Sequence, residues 1–367
     1  MKKRPDLYTN YKSESAIFST STQKVWFVLL ILLSLIVPFY FSPYWMLLVT
    51  TSLLIAIASW GLNIVSGMAG QINLAHGVFV GIGTYTSAVI GGVATSSVIG
   101  FELDMIIWLP LSGIIAALVG IIISPVSARL KGLNLGLVTL AIVFIGSHFF
   151  SNLKFITGGA GLGRIAAKLK FLGSDLDSGL SIGSVILEKN DVIYYFSLIL
   201  CIFLGLGAKN LTRTKIGRAF SAIRDRDIAA EALGINLYRY KMYAFALSSF
   251  YAGIAGSLLF IISGGIEPGT FSLLYSITFI AIVIIGGVGT VMGPFYGAFF
   301  FTMLPGIIQT ILHAVGVADT GFFLNAGEIE RIVFGFFIIF FLVFEPRGIW
   351  GIWFRLRNYF KAWPFSY

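Results

Sequence analysis

Apolar runs about as long as the roughly 20 residues that a bilayer-crossing helix needs recur along this chain and leave few folds open to it. Ten are read, at 25–42, 44–65, 74–93, 106–124, 133–152, 192–208, 241–263, 272–290, 292–315 and 330–345. Inside lipid every backbone amide must bond within its own segment, so runs of this kind are expected as helices. Hydrophobic residues make up 57% of the chain and charged ones only 11%, against about 25% charged in a water-soluble domain. The expectation is an all-α, polytopic integral membrane protein of about ten transmembrane helices. It divides into a polar tail at 1–24, a membrane domain at 25–345 and a second tail at 346–367. The first tail is too long and too polar to be read as a secretory signal peptide.

Charge follows the same division. Of 25 Lys and Arg, only Lys154, Arg164, Lys168, Lys170, Lys189 and Arg331 fall on one set of alternate loops. The others lie in the two tails, in the loop 125–132 and, most densely, in the loop 209–241. The positive-inside rule places that set, and so both termini, in the cytoplasm. Topology thus accounts for the net charge of +9, which calls for no nucleic-acid partner.

The loop 209–241 is more than basic. Residues 219–233 read as a helix rich in Ala, and Gly234 is placed to end it, because glycine enters the left-handed region without a Cβ penalty. Ala219, Ala222 and Ala229 form a small-residue stripe closed by Leu233, while Arg224, Asp225, Arg226, Asp227 and Glu231 cover much of the rest. Such a helix lies outside lipid, and its stripe suits docking into a groove of another protein. A basic loop that only sets topology is the plainer alternative. The words Gly217-Arg218-Ala219, Ala222-Ile223-Arg224 and Ile228-Ala229-Ala230-Glu231-Ala232-Leu233-Gly234-Ile235 resemble the cytoplasmic coupling loop of branched-chain amino acid ABC permeases of the LivM type. The resemblance implies that Gly217, Arg218, Ala219, Ile223, Arg224, Ala229, Ala230, Glu231, Ala232 and Gly234 engage an ATPase subunit. In ABC importers generally the loop carries Glu-Ala-Ala…Gly; here the order is Ala-Ala-Glu-Ala-Leu-Gly.

Asn63 to Gly77 is the second informative stretch. It is short, and it sets Gln71, Asn73 and His76 at a depth where polar groups need partners. Gly67 and Gly70 allow a broken or re-entrant backbone, which is tolerated only against protein or a water-filled cavity. A lining or gate of a translocation pathway is one reading, and a tight cytoplasmic turn in which Asn73 caps the next helix is the other. The run Gly67-Met68-Ala69-Gly70-Gln71-Ile72-Asn73-Leu74-Ala75-His76-Gly77 again resembles the LivM type. Residues 286–297 make a second Gly-rich inside turn, and 125–140 an inside turn feeding the fifth span. Glycines four apart (Gly77/Gly81, Gly132/Gly136, Gly289/Gly293/Gly297) are expected at close helix contacts, as are Ser248, Ser249, Gly253, Gly256 and Ser257.

Residues 152–191 form the longest outside segment, expected either as a docking surface or as a solvated loop. His148, near the outer end of its span, is read as a hydrogen-bonded interfacial histidine. Trp350, Trp353 and Trp363 suit the headgroup level. The single cysteine, Cys201, is expected as a buried small hydrophobe. There is no G-x-x-x-x-G-K-[ST], so the chain carries no ATP site of that kind. Three scattered histidines and one cysteine argue against a metal site. Gly179-Leu180-Ser181-Ile182-Gly183 matches G-x-S-x-G without the strand-turn-helix setting that would give it meaning, and no cofactor or enzymatic role is expected.

The resemblance covers most of residues 60–350. It implies a permease for branched-chain amino acids that pairs with a LivH-type permease, two cytoplasmic ATPase subunits and an extracytoplasmic binding protein in a bacterial inner membrane. Urea or short-amide permeases of similar type stay open, and so does a self-contained secondary transporter.

Overall fold

The computed structural model describes residues 16–18, 21–130, 132–161, 163–177, 179–182, 185–314, 326–345 and 347–362. Helices stand at all ten expected places: α1 (Ser21–Tyr40), α2 (Pro43–Leu62), α3 (His76–Gly91), α4 (Met105–Arg129), α5 (Gly132–Asn152), α6 (Lys189–Leu211), then, after the intervening α7 (Lys215–Ala232), α8 (Leu237–Ser263), α9 (Leu273–Gly286), α10 (Gly293–Ala314) and α11 (Ala326–Phe344). A further helix, α12 (Gly348–Ala362), closes the described chain. Among the described residues seven helices are long and apolar enough to cross a membrane by themselves, so the count of ten is not confirmed. The helix α9, with 14 residues, reaches roughly 21 Å at 1.5 Å per residue, less than a hydrocarbon core of about 30 Å. Most of the N-terminal tail, Lys131 and Trp363 lie outside the described residues.

The helix α8 is the centre of the molecule and packs on α2, α3 and α4. Small residues make this possible. A Cβ on Gly83 would meet the Gly253 carbonyl oxygen at 2.2 Å, and one on Gly256 would meet that of Val80 at 2.2 Å. The Thr84 hydroxyl then donates across the contact to Gly256 O at 2.9 Å. Close approach of this kind is how helices gain dispersion contact in lipid. The Gly77/Gly81 pair behaves as expected, pressed against Ser276 and against Phe150 and Phe271. The pair Gly132/Gly136 does not: nothing lies within 4 Å of a Cβ on Gly132, and the nearest atom to one on Gly136 is 3.6 Å away. Gly132 instead opens α5 with φ +56°.

The expected turn at 125–140 is mostly helix: α4 runs through Pro125 to Arg129, and α5 starts at Gly132. A proline removes the donor to the carbonyl four residues back, here that of Ile121. The Ser124 hydroxyl donates to Ile121 O at 2.7 Å instead, which lets the helix continue.

The segment 152–191 folds as a cap. Its β1 (Arg164–Ile165) pairs antiparallel with β6 (Gly265–Ile266) beyond α8, while β2 (Lys170–Phe171) pairs with β3 (Ser174–Asp175), and β4 (Leu180–Ile182) with β5 (Val185–Leu187). The Gly179–Ile182 stretch belongs to that last hairpin. The buried Arg164 guanidinium donates to Ala88 O at 2.5 Å, Ile156 O at 2.5 Å and Ile99 O at 3.1 Å, joining the end of α3 to the cap. His148 is exposed beside Asn152 on the last turns of α5, and Cys201 is buried.

Glu102 reaches the cap from the α3–α4 loop. The hydrogen bond from Lys170 at 3.2 Å, with the charge of Lys168 at 3.6 Å, holds its carboxyl below the ordinary carboxylate range. A lowered folded pKa means that this contribution is whole above the ordinary carboxylate value and is lost as pH falls through the folded one. Trypsin cleavage after Lys168 and Lys170 is therefore expected to speed up in acid relative to other exposed sites. In Glu102→Gln it is expected to be fast already at neutral pH. Equal cleavage of the two proteins at neutral pH would remove Glu102 from the cap.

Candidate functional site

The polar helix α7 begins earlier than the sequence suggests. Thr214 caps it by accepting from Gly217 N–H at 3.3 Å. Glycine is required at 217, since a Cβ there would meet Leu211 O at 2.1 Å. The helix ends as expected, with Gly234 at φ +83°.

Between these ends α7 is not continuous. Arg226 has φ −156° and ψ 100°, a non-helical residue that separates two shorter helices. The break resets the helical phase, and the stripe expected from Ala219 through Ala229 to Leu233 does not exist as one face. Ala219, Phe220 and Ile223 turn inward and are buried, as is Ala230. Past the break the outward face holds Ile228 and Leu233, 75% and 81% exposed, beside exposed Ala229, Glu231 and Ala232. The first half anchors, and the second half presents an apolar edge. Arg218 turns back along its own helix and donates to Arg213 O at 3.0 Å.

Arg224 connects α7 to the membrane helices. Its guanidinium pairs with Asp225 at 3.1 Å and donates to Gly67 O at 3.2 Å. Gly67 belongs to a π-helical turn, Asn63–Met68, that continues α2 into the first break. Gly70 follows at φ +68°, where a Cβ would meet Arg224 Cγ at 2.8 Å. Asn63 reaches the second break from the same turn. Its Nδ2 donates to Thr290 O at 2.8 Å, and its Oδ1 accepts from Gly289 N–H at 2.8 Å. Trp60 adds a bond from Nε1 to Val291 O at 2.6 Å. Both Gly-rich breaks and α7 thus meet on one side of the molecule, opposite the cap.

Gln71, Asn73, His76 and Gly77 of the first break are buried in protein, while Ile72 between them is exposed. Gln71 is 3% exposed, in the wall of a pocket of about 240 Å³ beside Arg224 and Lys241. Neither of its amide atoms has a hydrogen-bond partner among the described residues. Asn73 Oδ1 accepts from Ala75 N–H at 3.0 Å, an Asx turn just ahead of α3. His76 Nε2 lies 2.8 Å from Ala58 O, with the ring edge-on to Phe279. Gly77 N–H donates to the Ser276 hydroxyl at 2.9 Å. The central residue, Asn63, is one that sequence reasoning did not single out. Its one signal is an amide at the end of an apolar run, where a buried polar group needs two partners.

The family described as branched-chain amino acid transport system / permease component matches residues 44–342, a span that leaves α1 and α12 outside. The high-affinity branched-chain amino acid transport system permease proteins LivM of Salmonella typhimurium and Escherichia coli are both 27% identical over 343 residues, covering 90% of this chain and 76% of theirs. The autoinducer 2 import system permease protein LsrC of Enterobacter sp. is 26% identical over 249 residues, 65% of this chain and 66% of that protein. No solved structure matches.

Proposed function

The chain belongs to the family of branched-chain amino acid transport system permease components, and on that premise we propose that it is the membrane-spanning subunit of an ABC importer. Its cargo is leucine, isoleucine and valine, moved across the bacterial inner membrane with ATP hydrolysed by partner subunits. Both termini and α7 face the cytoplasm. The partners are a LivH-type permease, two ATPase subunits and an extracytoplasmic amino-acid-binding protein.

The observation behind this reading is the two-part construction of α7. Phe220 and Ile223 are buried, whereas Ile228 and Leu233 are exposed on a helix too polar for lipid. An apolar edge held out by an anchored base is what a helix needs to sit in a groove of another chain. Motion delivered to that edge passes through Arg224 to Gly67, and through Asn63 to Gly289, and so reaches α2 and the loop between α9 and α10. Gly217, Arg218, Ala219, Ile223, Arg224, Ala229, Ala230, Glu231, Ala232 and Gly234 compose the coupling element. Gly67, Gly70, Gln71, Asn73, His76 and Gly77 compose the moving joint beside the pathway.

A second reading, a permease of this type for another small polar solute, has the autoinducer 2 relative behind it. Uptake of labelled leucine into cells carrying the whole gene set separates the two. A pull-down of the tagged chain in mild detergent tests the class itself. An ATPase and a second permease are expected with it, and a chain that purifies alone and still moves solute in liposomes would overturn the reading. Gln71→Leu is expected to leave assembly intact, because no hydrogen bond from the described residues to its amide is lost, and to lower uptake. Unchanged uptake would take Gln71 out of the joint.

A further inference from the structure

The last helix, α12, lies beyond the family match and has a pattern unlike that of the spans. At helical spacing Ile349, Ile352, Trp353, Leu356, Tyr359 and Phe360 fall on one face, and Arg357 and Asn358 on another. The start of the helix packs on the body, and further along Arg355 pairs with Glu345. Trp350 stacks on Tyr296, centroids 6.2 Å apart and planes 19° from parallel. Gly348 sits at φ +64° so close to α9 that a Cβ would meet Ile285 O at 2.5 Å. Every residue from Ile352 to Phe360 is exposed, with Tyr359 at 60% and Phe360 at 74%.

Three observations say what covers that face. The preceding span α11 exposes Phe336, Ile339, Val343 and Phe344, a surface that lipid covers in a spanning helix, and α12 follows it across one short turn at Glu345. Tryptophan and tyrosine are the side chains that settle at the headgroup level. From 346 to 367 the sequence holds Arg347, Arg355, Arg357 and Lys361 and no Asp or Glu. The Arg355 charge is matched by a bond to Glu345, so exposed Arg347 and Arg357, with Lys361 by sequence alone, set the sign of this end of the chain. An amphipathic helix with aromatic residues on one side and basic residues on the other lies in the interface of an anionic bilayer.

We propose that α12 is an interfacial helix that binds anionic lipid headgroups on the side of the membrane where α7 lies. The contact reaches the coupling machinery. A Cβ on Gly287 would meet Arg347 O at 2.7 Å and Trp350 Cβ at 3.1 Å, and the same turn continues to Gly289, which Asn63 holds. The lipid surface therefore bears on the second break. The inference depends neither on the cargo nor on the ATPase partners.

The test uses the full chain in vesicles of phosphatidylcholine, with and without phosphatidylglycerol. Nitroxide labels go on Leu356→Cys and, separately, Asn358→Cys, each in a Cys201→Ala background. Collisions with oxygen and with a water-soluble nickel chelate report depth. The label at 356 is expected to favour oxygen and the label at 358 nickel, and phosphatidylglycerol is expected to shift 356 further towards oxygen. R357Q/K361Q is expected to lose that shift and keep the value seen in phosphatidylcholine. Equal accessibility at 356 and 358, as in a helix projecting into water, would overturn the proposal. So would a position 356 shielded from both reagents whatever the lipid, which is the signature of a protein partner. A shift that persists in R357Q/K361Q would overturn the assignment of the charge.

Discussion

Replacing Ile228 and Leu233 together by aspartate is expected to abolish ATP-driven uptake while leaving the chain folded and in the membrane. Both side chains are more than three-quarters or close to three-quarters exposed, at 75% and 81%, so the isolated fold loses almost nothing. Exposed substitutions of this kind usually stay within about 0.5 kcal/mol. The effect falls on docking. Apolar anchors at the centre of an interface are worth about 2 kcal/mol or more each. Losing both weakens association roughly a thousandfold, before the burial of two carboxylates is counted. The readouts are co-purification of the ATPase, its stimulated turnover and the amount of chain in the membrane fraction. Normal uptake would end the docking role of α7. The same substitutions at Phe220 and Ile223 are expected to lower the amount of folded protein instead, because those side chains are in the core.

The second large effect is expected at Asn63. Asn63→Leu keeps the size of the side chain and removes both bonds to the second break, stranding Gly289 N–H and Thr290 C=O in a half-buried site. A fully buried stranded group costs about 1–3 kcal/mol; for these two half-buried groups the lower end applies, and a loss of roughly 2 kcal/mol is expected in the thermal or denaturant unfolding of the purified chain. Gln71→Leu, in the same break, is the comparison. Its amide atoms have no hydrogen-bond partner among the described residues to lose, and its unfolding midpoint is expected to stay close to the wild-type value. If both variants unfold alike, the stitch through Asn63 is not what holds the breaks together.

These two residues also mark the limit of what the sequence makes legible. The places of the membrane helices were readable because lipid imposes a length and a composition that few other environments do. Gly234 was readable as a backbone requirement, since positive φ leaves few other choices, whereas the close approach that demands Gly217 shows only in the fold. The break at Arg226 carries no proline or glycine, and the charged run Arg224-Asp225-Arg226-Asp227 is compatible with an unbroken helix. Two residues before it Arg224 bonds to Gly67 O, a contact between segments far apart in sequence that no local pattern reveals. Asn63 is hidden for the same reason: an amide states that it needs partners, not where they are. Pro125 misled in the opposite direction, because a proline reads as a stop until the neighbouring serine is seen to replace the missing donor.

The pairing of β1 with β6 has a consequence for biosynthesis. In the topology proposed above, a chain made and inserted from its N-terminus exports the segment after α5 before most of α6, and all of α7 and α8, exist. Arg164 can find Ala88 O at that stage, but Arg164 and Ile165 have no strand to pair with until α8 has crossed and Gly265 and Ile266 emerge beside them. The cap therefore closes only on a chain whose central helix is already in place. A protease acting from the outer side would distinguish half-made chains, with this segment open, from finished ones.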